Sequence, residues 1–329
     1  MSSGAAARRS TPHEFWSRNR VPVAITSIFV ALFAVFIVAN PAVFLRYDIY
    51  RSFMSTIPFF GILAIGVTFI VSLGEIDLSF PSVLGLSAWV FAVVSTTTNS
   101  FLFAFVLCLA LGLALGLING LLVAKVGIPS IVATIGTMFL WRGLVNVLVE
   151  GKGIALSNLE GTLWQDVTVG RIGGQVPMQF LWFVLLAAVF GFVYRRHRFG
   201  SQVLFVGDNE PSARMVGVRT DMIKIQCYVL MGGFAAAAGM FSLCEVGYFW
   251  PTQGEGMLLT TLAAVFIGGT SVFGGKGTMW GTVIGVLLIG SLEAGILSIG
   301  LTGFWVQFCY GLLITISVLV YAVMLKRNQ

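Results

Sequence analysis

The chain has 329 residues, of which 57% are hydrophobic and only 10% are charged, whereas a soluble globular domain carries about 25% charged residues. Its formal net charge is +6, but the cations lie between long apolar runs and form no basic surface with aromatic platforms, which argues against a nucleic-acid-binding protein. Its four cysteines form no CxxC pair and it has only two histidines, so we expect neither a disulfide framework nor a metal site.

The first apolar run extends from Val21 to Ala39, after a basic segment, and stops at Asn40 and Pro41. We interpret this run as a retained signal anchor, with residues 1–22 as a cytoplasmic tail. A cleaved signal peptide is the alternative, but the run is longer than a usual signal-peptide core and no clear small-x-small cleavage site follows it.

Further apolar runs recur to the end of the chain, and about 18 apolar residues suffice to cross a hydrocarbon core about 30 Å thick. The predicted spans are Phe53–Leu73, Ser79–Ser95, Phe101–Ala124, Ile128–Val149, Gln179–Tyr194, Ile223–Cys244, Met257–Gly268, Met279–Ile299 and Phe304–Leu325. The sequence therefore predicts an all-α polytopic membrane protein with about ten transmembrane helices. They form a single membrane domain over residues 23–325, followed by a short cytoplasmic tail at 326–329.

Basic residues are distributed unequally between the predicted loops. With a cytoplasmic N-terminus, fourteen Lys and Arg fall on the cytoplasmic side, and only Arg46, Arg51, Lys152 and Arg171 fall on the other. Because Lys and Arg in short loops set orientation, we expect both termini in the cytoplasm and an even number of spans. The polar segment 150–178 is then external, where it forms either part of a docking surface or inert cover for the helix ends.

Two places break the apolar pattern at membrane depth. The first runs from Gly74 to Pro81 and carries two carboxylates, and the second runs from Gly268 to Thr278 and is rich in glycine. Unpaired backbone groups are costly in lipid, so irregular chain at this depth is buried in protein or lines a watery cavity. Broken helices in corresponding parts of two halves are typical of solute transporters.

The glycine-rich break is not a nucleotide-binding loop. A Walker A motif requires Gly-x4-Gly-Lys-Ser/Thr, but Thr270 stands at the first glycine position and Gly277 follows Lys276. We therefore expect any ATP hydrolysis to take place on another subunit.

Ionisable and polar groups within the spans are candidates for the solute pathway, since they are expensive in lipid and usually face a bundle interior. The predicted pathway residues are Glu75, Asp77, Asn119, Arg142 and Glu293. Asp77 or Glu293 could instead cap a broken helix or pair with a buried donor, and Asn119 could form an interhelical hydrogen bond. No nucleophile-and-base pattern lies near them, so we expect no catalytic residue and no cofactor.

Gly112, Gly116 and Gly120 recur at intervals of four residues. This spacing puts three small residues on one helix face, where a neighbouring backbone can approach closely. Packing is sufficient to explain the pattern.

The longest cytoplasmic segment, 195–222, carries signals for a short helix. Asn209 suits a helix N-cap, Glu210 and Pro211 suit the first turn, and Gly217 suits a left-handed C-terminal residue. A short capped helix on a tight tether is suited to transmit a push from a partner, because it has no slack to absorb the motion.

Four motifs in this order resemble those of the permeases of bacterial ABC importers for ribose and related monosaccharides, from about residue 50 to the end. They are GEIDLS at 74–79, GIPSIVATIGTM at 127–138, VGDNEPSARMVGVR at 206–219, and GGTS at 268–271 with GGKGT at 274–278. Three positions depart from the family pattern: Glu75 replaces a second glycine, Pro81 a small residue, and Glu293 lies where a neutral amide is typical. These departures leave the identity of the solute open.

The resemblance implies a multi-pass protein of the bacterial inner membrane, surrounded by lipid, that imports a monosaccharide or related sugar derivative by alternating access. It implies three protein partners: a cytoplasmic ATP-binding cassette ATPase, a periplasmic solute-binding protein and a second permease, identical or paralogous. By the same resemblance, the residues that contact the ATPase are Gly207, Asn209, Glu210, Ala213, Arg214 and Gly217. The chain itself would perform no bond chemistry.

Two other classes of function remain to be weighed. An ion-coupled secondary transporter could use Asp77 or Glu293 as a proton site, but such a carrier needs no cytoplasmic helix on which an ATPase docks. A membrane receptor or scaffold leaves the two breaks at membrane depth without a purpose.

Overall fold

The computed structural model describes residues 12–326 of the chain. Arg8, Arg9 and Arg327, which contribute to the predicted orientation, and most of the two predicted tails lie outside the described residues.

The described part is almost entirely helical. Its α-helices are α1 (Pro12–Ala39), α2 (Pro41–Phe44), α3 (Tyr47–Ser72), α4 (Phe80–Thr98), α5 (Phe101–Leu121), α6 (Ser130–Val149), α7 (Leu163–Val169), α8 (Met178–Arg196), α9 (Arg198–Asp208), α10 (Glu210–Met215), α11 (Thr220–Val246), α12 (Met257–Ile267), α13 (Met279–Ser298) and α14 (Gly303–Lys326). A π-helical turn at Leu122–Val126 extends α5, and Ser157–Leu159 forms one 3₁₀ turn. The strands are β1 (Ile154–Ala155), β2 (Arg171–Ile172), β3 (Val176–Pro177) and β4 (Tyr248–Phe249).

Within the described residues, seven helices are long and apolar enough to cross a membrane. They are α3, α4, α5 with its π turn, α6, α8, α11 and α13. Three shorter apolar regions, Val23–Ala39, Met257–Ile267 and Gly303–Ile316, account for the rest of the ten predicted spans. The chain is therefore a polytopic helical membrane protein, and the count of ten remains a prediction.

The centre of the bundle is the pair α3 and α11, which contact each other, while α11 also packs on α4 and α5. Nearly every side chain of α3 from Ile57 to Ser72 is buried. A helix that is apolar on all sides is expected in such a central position, and α6 and α8, which are mostly exposed apolar helices, lie at the periphery.

Close backbone contact joins α5 to α11. A methyl group at Gly112 would collide with the carbonyl oxygen of Gly232, and one at Gly116 would collide with that of Tyr228. A methyl group at Gly120 would lie 2.9 Å from the Cα of Ile225. The predicted packing role of the glycine stripe is confirmed, because each glycine removes the side chain that would hold the two helices apart.

Both predicted breaks are present. Residues 73–79 separate α3 from α4, and residues 268–278 separate α12 from α13, with no regular helix in either segment. Gly274 adopts a φ of 79° in the second break, a left-handed conformation that glycine adopts without steric cost.

Short strands and a small helix order the segment between α6 and α8. Strand β1 pairs antiparallel with β4, and β2 pairs with β3. Trp164 of α7 stacks on Phe101 with ring centroids 4.9 Å apart. The segment is thus a folded cover over one end of the bundle, and its predicted role as a docking surface stays open.

The two ends of the bundle collect different loops. Lys125 pairs with Asp221 at 3.0 Å at the end that also holds α9 and α10, which we call the basic end. At the opposite end, Arg171 lies 3.8 Å from Glu245 and Tyr47 donates a hydrogen bond to the carbonyl of Gln175. This grouping follows the predicted division of the loops, and which end faces the cytoplasm remains a prediction.

We predict that Gly116→Ala destabilises the protein by about 1–3 kcal/mol, the typical cost of overpacking, because the added methyl group forces α5 away from the backbone of α11. Thermal unfolding in detergent measures the change. Gly136→Ala in α6 is the matched control, since nothing lies within 4 Å of its added methyl group. Equal unfolding temperatures for the two variants would contradict the assigned packing.

Candidate functional site

Three chain segments meet at the basic end, in a contact that we call the glycine junction, formed by Ser72, Gly74, Gly207, Gly274 and Gly275. The backbone N–H of Gly275 donates to the carbonyl of Ser72 at 2.9 Å. A methyl group at Gly207 would collide with that same carbonyl, and one at Gly274 would lie 2.6 Å from the carbonyl oxygen of Gly207 and 2.8 Å from the nitrogen of Gly74. The last turn of α9 therefore touches the end of α3 and the second break directly, and Gly274 of the second break in turn contacts Gly74 of the first.

Helix α9 is seated on the bundle beside this junction. The ring of Phe199 stacks on Phe69 of α3 with centroids 5.8 Å apart, and Val203 and Val206 are fully or almost fully buried. The end of α8 is joined to the same place by the hydroxyl of Tyr194, which lies 2.6 Å from the hydroxyl of Ser72. The helices within segment 195–222 are thus packed elements and not a loose loop.

The predicted short helix is present as α10, with the predicted capping. Asn209 Oδ1 accepts a hydrogen bond from the N–H of Ser212 at 2.9 Å, and Gly217 adopts a φ of 86°. Ala213 is fully buried, whereas Met215 is 87% exposed and Val216 is 68% exposed. Helix α10 therefore has a face that packs on the bundle and an apolar tip that faces solvent.

Ion pairs extend from α10 to the first break, and we call this chain of charges the ionic link. Its residues, in order of contact, are Lys125, Asp221, Arg214, Glu210, Lys224 and Glu75. Lys224 Nζ lies 2.9 Å from Glu210 and 2.7 Å from Glu75. The side chains of Lys224 and Glu75 are each only 14% exposed, so this part of the link is shielded from solvent screening, unlike a surface ion pair.

The carboxylate of Glu210 is held in its charged form. Partial burial raises its pKa, but hydrogen bonds from Lys224 and Arg214 outweigh burial, so its pKa lies below the ordinary value of 4.5. A depressed carboxylate pKa contributes stability above the unfolded-state pKa, and that contribution disappears as the pH falls through the folded-state pKa. Glu210 therefore keeps its charge in the ionic link at neutral pH and loses it only in acid below about pH 4.5.

Asp77 and Asn119 meet through one hydroxyl group. Asp77 Oδ1 accepts from the N–H of Ser79 at 2.8 Å and from its Oγ at 2.7 Å. The same Oγ accepts a hydrogen bond from Asn119 Nδ2 at 2.6 Å, and all three residues are buried. The network holds the first break against α5, and it leaves Asn119 Oδ1 without a hydrogen-bond partner among the described residues.

Arg142 of α6 binds backbone carbonyls. Its guanidinium donates to Pro251 at 2.7 Å, Gln253 at 3.0 Å and Pro81 at 3.2 Å, while Glu255 lies 3.8 Å away. Hydrogen bonds from a charged donor are about twice as strong as neutral ones. Arg142 therefore holds the irregular segment before α12 against the first turn of α4.

Gln253 in that segment is a site residue that the sequence did not indicate. It is 1% exposed, and neither polar atom of its side-chain amide has a hydrogen-bond partner within the described structure. A buried polar group without a partner costs about 1–3 kcal/mol. Such a group is expected where water or a solute supplies the missing hydrogen bonds.

The structure divides the five predicted pathway residues among separate places. Asp77 and Asn119 share one network, Glu75 belongs to the ionic link, and Arg142 supports the segment before α12. Glu293 accepts a hydrogen bond from the hydroxyl of Tyr310 at 3.2 Å and has no contact of that kind with the other four. Among residues 23–316, three or more metal-ligating side chains come together nowhere.

A bundle with two broken spans and a packed helix that joins them at one end is the architecture of a membrane transporter subunit. A family model described as "Branched-chain amino acid transport system / permease component" matches residues 49–325. The chain therefore belongs to this family of ABC-importer permeases. Such permeases are multi-pass inner-membrane subunits that work with a solute-binding protein and a separate subunit that hydrolyses ATP, and they perform no catalysis themselves.

Several curated proteins are similar over most of this chain. The ribose import permease protein RbsC of Bacillus subtilis (strain 168) is 36% identical over 79% of this chain and 80% of its own length. The autoinducer 2 import system permease protein LsrC of Salmonella typhi is 32% identical over 94% of this chain and 87% of its own length. The LsrC protein of Photorhabdus luminescens is 31% identical over 79% of this chain and 77% of its own length. No solved structure matches the chain.

We predict that Lys224→Met lowers the free energy of unfolding by about 2–3 kcal/mol, because it leaves the carboxylates of Glu75 and Glu210 partly buried without their cation. Adding Glu75→Gln to this variant should cost less than the sum of the two single changes, by about 1 kcal/mol, as expected for residues in one network. Thermal unfolding of the four proteins in detergent gives the coupling.

The control for this series is Lys152→Met. Lys152 pairs with Glu150 at 3.4 Å, but both side chains are largely exposed, so its loss should change stability by less than about 0.5 kcal/mol. Strictly additive effects of Lys224→Met and Glu75→Gln would show that this pair of the ionic link has no coupling energy.

Proposed function

We propose that this permease has ten spans with both termini in the cytoplasm, and that it imports a monosaccharide or related sugar derivative by alternating access. The contact of α9 with the end of α3 and with the second break, at the glycine junction, is the observation that carries the mechanism. The named solutes of the similar permeases, ribose and autoinducer 2, support a sugar-like solute.

The ATPase in this proposal docks on α10 and the turn after it. Met215 and Val216 form an apolar tip that is exposed to solvent in a single chain. Exposed apolar surface of this kind is expected of a protein-interaction site. Arg214 and Gly217, two of the predicted contact residues, lie beside this tip. Gly207 and Ala213 face the bundle instead, which supports a role in seating the segment, and their predicted contact with the ATPase remains untested.

Motion of α10 would reach the solute pathway by two routes. The glycine junction connects the end of α9, which leads directly into α10, to both breaks through backbone contact. The ionic link connects α10 itself to Glu75. The first break continues to the buried Asp77–Ser79–Asn119 network, and the second precedes α13. Because packed interiors have few voids to absorb a displacement, a shift of α10 is expected to rearrange both breaks together.

In this proposal the solute forms hydrogen bonds with buried side chains of the pathway. Asn119 Oδ1 and the amide of Gln253 are buried and unpartnered in the described structure, which suits a solute rich in hydroxyl groups. Arg142 already has three carbonyl partners, so in this proposal it shapes the pathway and does not bind the solute. Glu75 belongs to the ionic link, so in this proposal it helps to connect α10 to the first break and does not line the pathway.

The solute-binding protein and the second permease are assigned to other surfaces of the chain. The folded segment 150–177 covers the end of the bundle opposite α10 and provides the surface for the solute-binding protein. Glu293 is exposed on a single chain although it lies within a span, where a carboxylate in contact with lipid is costly. A second permease, identical or paralogous, would cover it.

We expect vesicles that contain the permease, its ATPase and the solute-binding protein to accumulate sugar only when ATP is enclosed on the ATPase side, and to do so equally well after a proton ionophore is added. In this proposal ATP drives the uptake because the ATPase moves α10, and the motion of α10 rearranges both breaks. Uptake by the permease alone, driven by a proton gradient, would establish the ion-coupled alternative.

We also expect Met215→Asp to reduce co-purification of the ATPase at least tenfold, because a carboxylate at the apolar tip must be desolvated in the complex. Leu163→Asp is the matched control, since Leu163 is similarly exposed but lies in α7 at the opposite end. Both variants should elute as the wild type does in size-exclusion chromatography. Retention of the ATPase by Met215→Asp at wild-type level would refute docking at this tip.

A further inference from the structure

A groove with a cavity volume of about 1380 Å³ separates α1 from α8 and has the start of α13 as its floor. Apart from Tyr194, Gly277 and Thr278 at its basic end, the proposed transport mechanism uses none of its walls. Its lining is apolar along most of its length and polar only towards the basic end of the bundle.

Small and branched apolar side chains form the two walls at helical spacing. Val23, Val30 and Ala34 line the wall of α1, and Ala187 and Gly191 line that of α8. Small residues at this spacing usually let two helices pack together, yet α1 packs on α13 and leaves a space beside α8. The space is therefore shaped for an occupant other than a neighbouring helix of the described chain.

The length of the groove corresponds to one leaflet of a bilayer. Along α8 the lining extends from Phe183 to Arg195, twelve steps along the helix or about 18 Å at 1.5 Å per residue. Half of a hydrocarbon core is about 15 Å. An occupant that follows the groove thus extends from the bilayer centre to the level of the headgroups.

Two cationic side chains lie at the end of the groove nearest the basic end of the bundle. Arg195 and Arg196 line it at the basic end, both are exposed, and neither forms an ion pair with a side chain in residues 23–316. The hydroxyl-bearing residues Ser201 and Thr278 lie at the same end of the lining. Guanidinium groups bind phosphate oxygens in bidentate fashion.

We infer that this groove binds an anionic glycerophospholipid, with an acyl chain between α1 and α8 and its phosphate at Arg195 and Arg196. The assignment of this lipid to the cytoplasmic leaflet rests on the proposed orientation, in which the basic end faces the cytoplasm. A water-soluble ligand does not fit, because the walls offer it no hydrogen bonds along most of their length. Basic pockets between transmembrane helices at the cytoplasmic side are the sites expected to recognise anionic headgroups.

Trp280 makes the inference testable, because it lines the groove and its indole lies 3.4 Å from the hydroxyl of Thr26. The purified full chain in detergent is titrated with phosphatidylglycerol or phosphatidylcholine carrying brominated acyl chains, and quenching of tryptophan fluorescence is recorded. The difference between wild type and Trp280→Phe isolates the signal from the groove. With two cations near the headgroup, phosphatidylglycerol should bind roughly thirtyfold more tightly.

The double variant Arg195→Gln/Arg196→Gln should lose this preference and bind both lipids equally. Arg198→Gln is the matched control, because Arg198 is a neighbouring exposed cation that does not line the groove, and it should keep the preference. Ala188→Phe fills the groove between its walls and should abolish quenching by both lipids.

Equal binding of the two lipids by the wild type would overturn the inference, as would a preference that survives in the double variant. Absence of any Trp280 quenching would also overturn it and would assign the groove to another part of this chain or to a second copy. The titration contains no ATPase, solute or ATP. A negative result here therefore leaves the proposed transport function standing, and failed transport leaves the lipid result interpretable.

Discussion

Backbone contact at the glycine junction is the constraint on which the rest of the arrangement depends. Gly207 occupies a position where any side chain would collide with the carbonyl of Ser72, and Gly274 is enclosed between Gly207 and Gly74. No side chain separates the three segments there, so no change of rotamer can absorb a displacement. The position of α10 and the conformation of both breaks are therefore set together.

Charged groups stabilise this arrangement differently at two depths. At the basic end, cations and carboxylates pair with each other along the ionic link, which includes Lys224. Deeper in the bundle, Arg142 is bound by neutral carbonyls and Asp77 by the N–H and hydroxyl of Ser79. Buried charge requires such hydrogen bonds, and here they also hold irregular chain segments in place where lipid cannot.

Sequence reasoning succeeded where the decisive contacts are local. The N-cap of α10 is a hydrogen bond between Asn209 and Ser212, only three positions away. The two breaks are visible in the sequence as polar and glycine-rich interruptions of apolar runs. It missed Lys224, whose partner Glu75 lies far away along the chain, and it could not foresee that Glu75 joins the ionic link. The partners of Arg142 are backbone carbonyls, which every sequence provides, so no residue pattern could indicate them.

The glycine face of α5 has a consequence for assembly in the membrane. Helix α5 is complete at Leu121, but its closest neighbour α11 ends only at Val246, and chains are made from the N-terminus. During the interval α6 and α8 are inserted, while the glycine face of α5 at Gly116 has no neighbouring backbone to pack against. Contacts between distant parts of a chain form late, so the glycine face of α5 stays without its partner until α11 has been made, and α12, α13 and α14 are made only after that step.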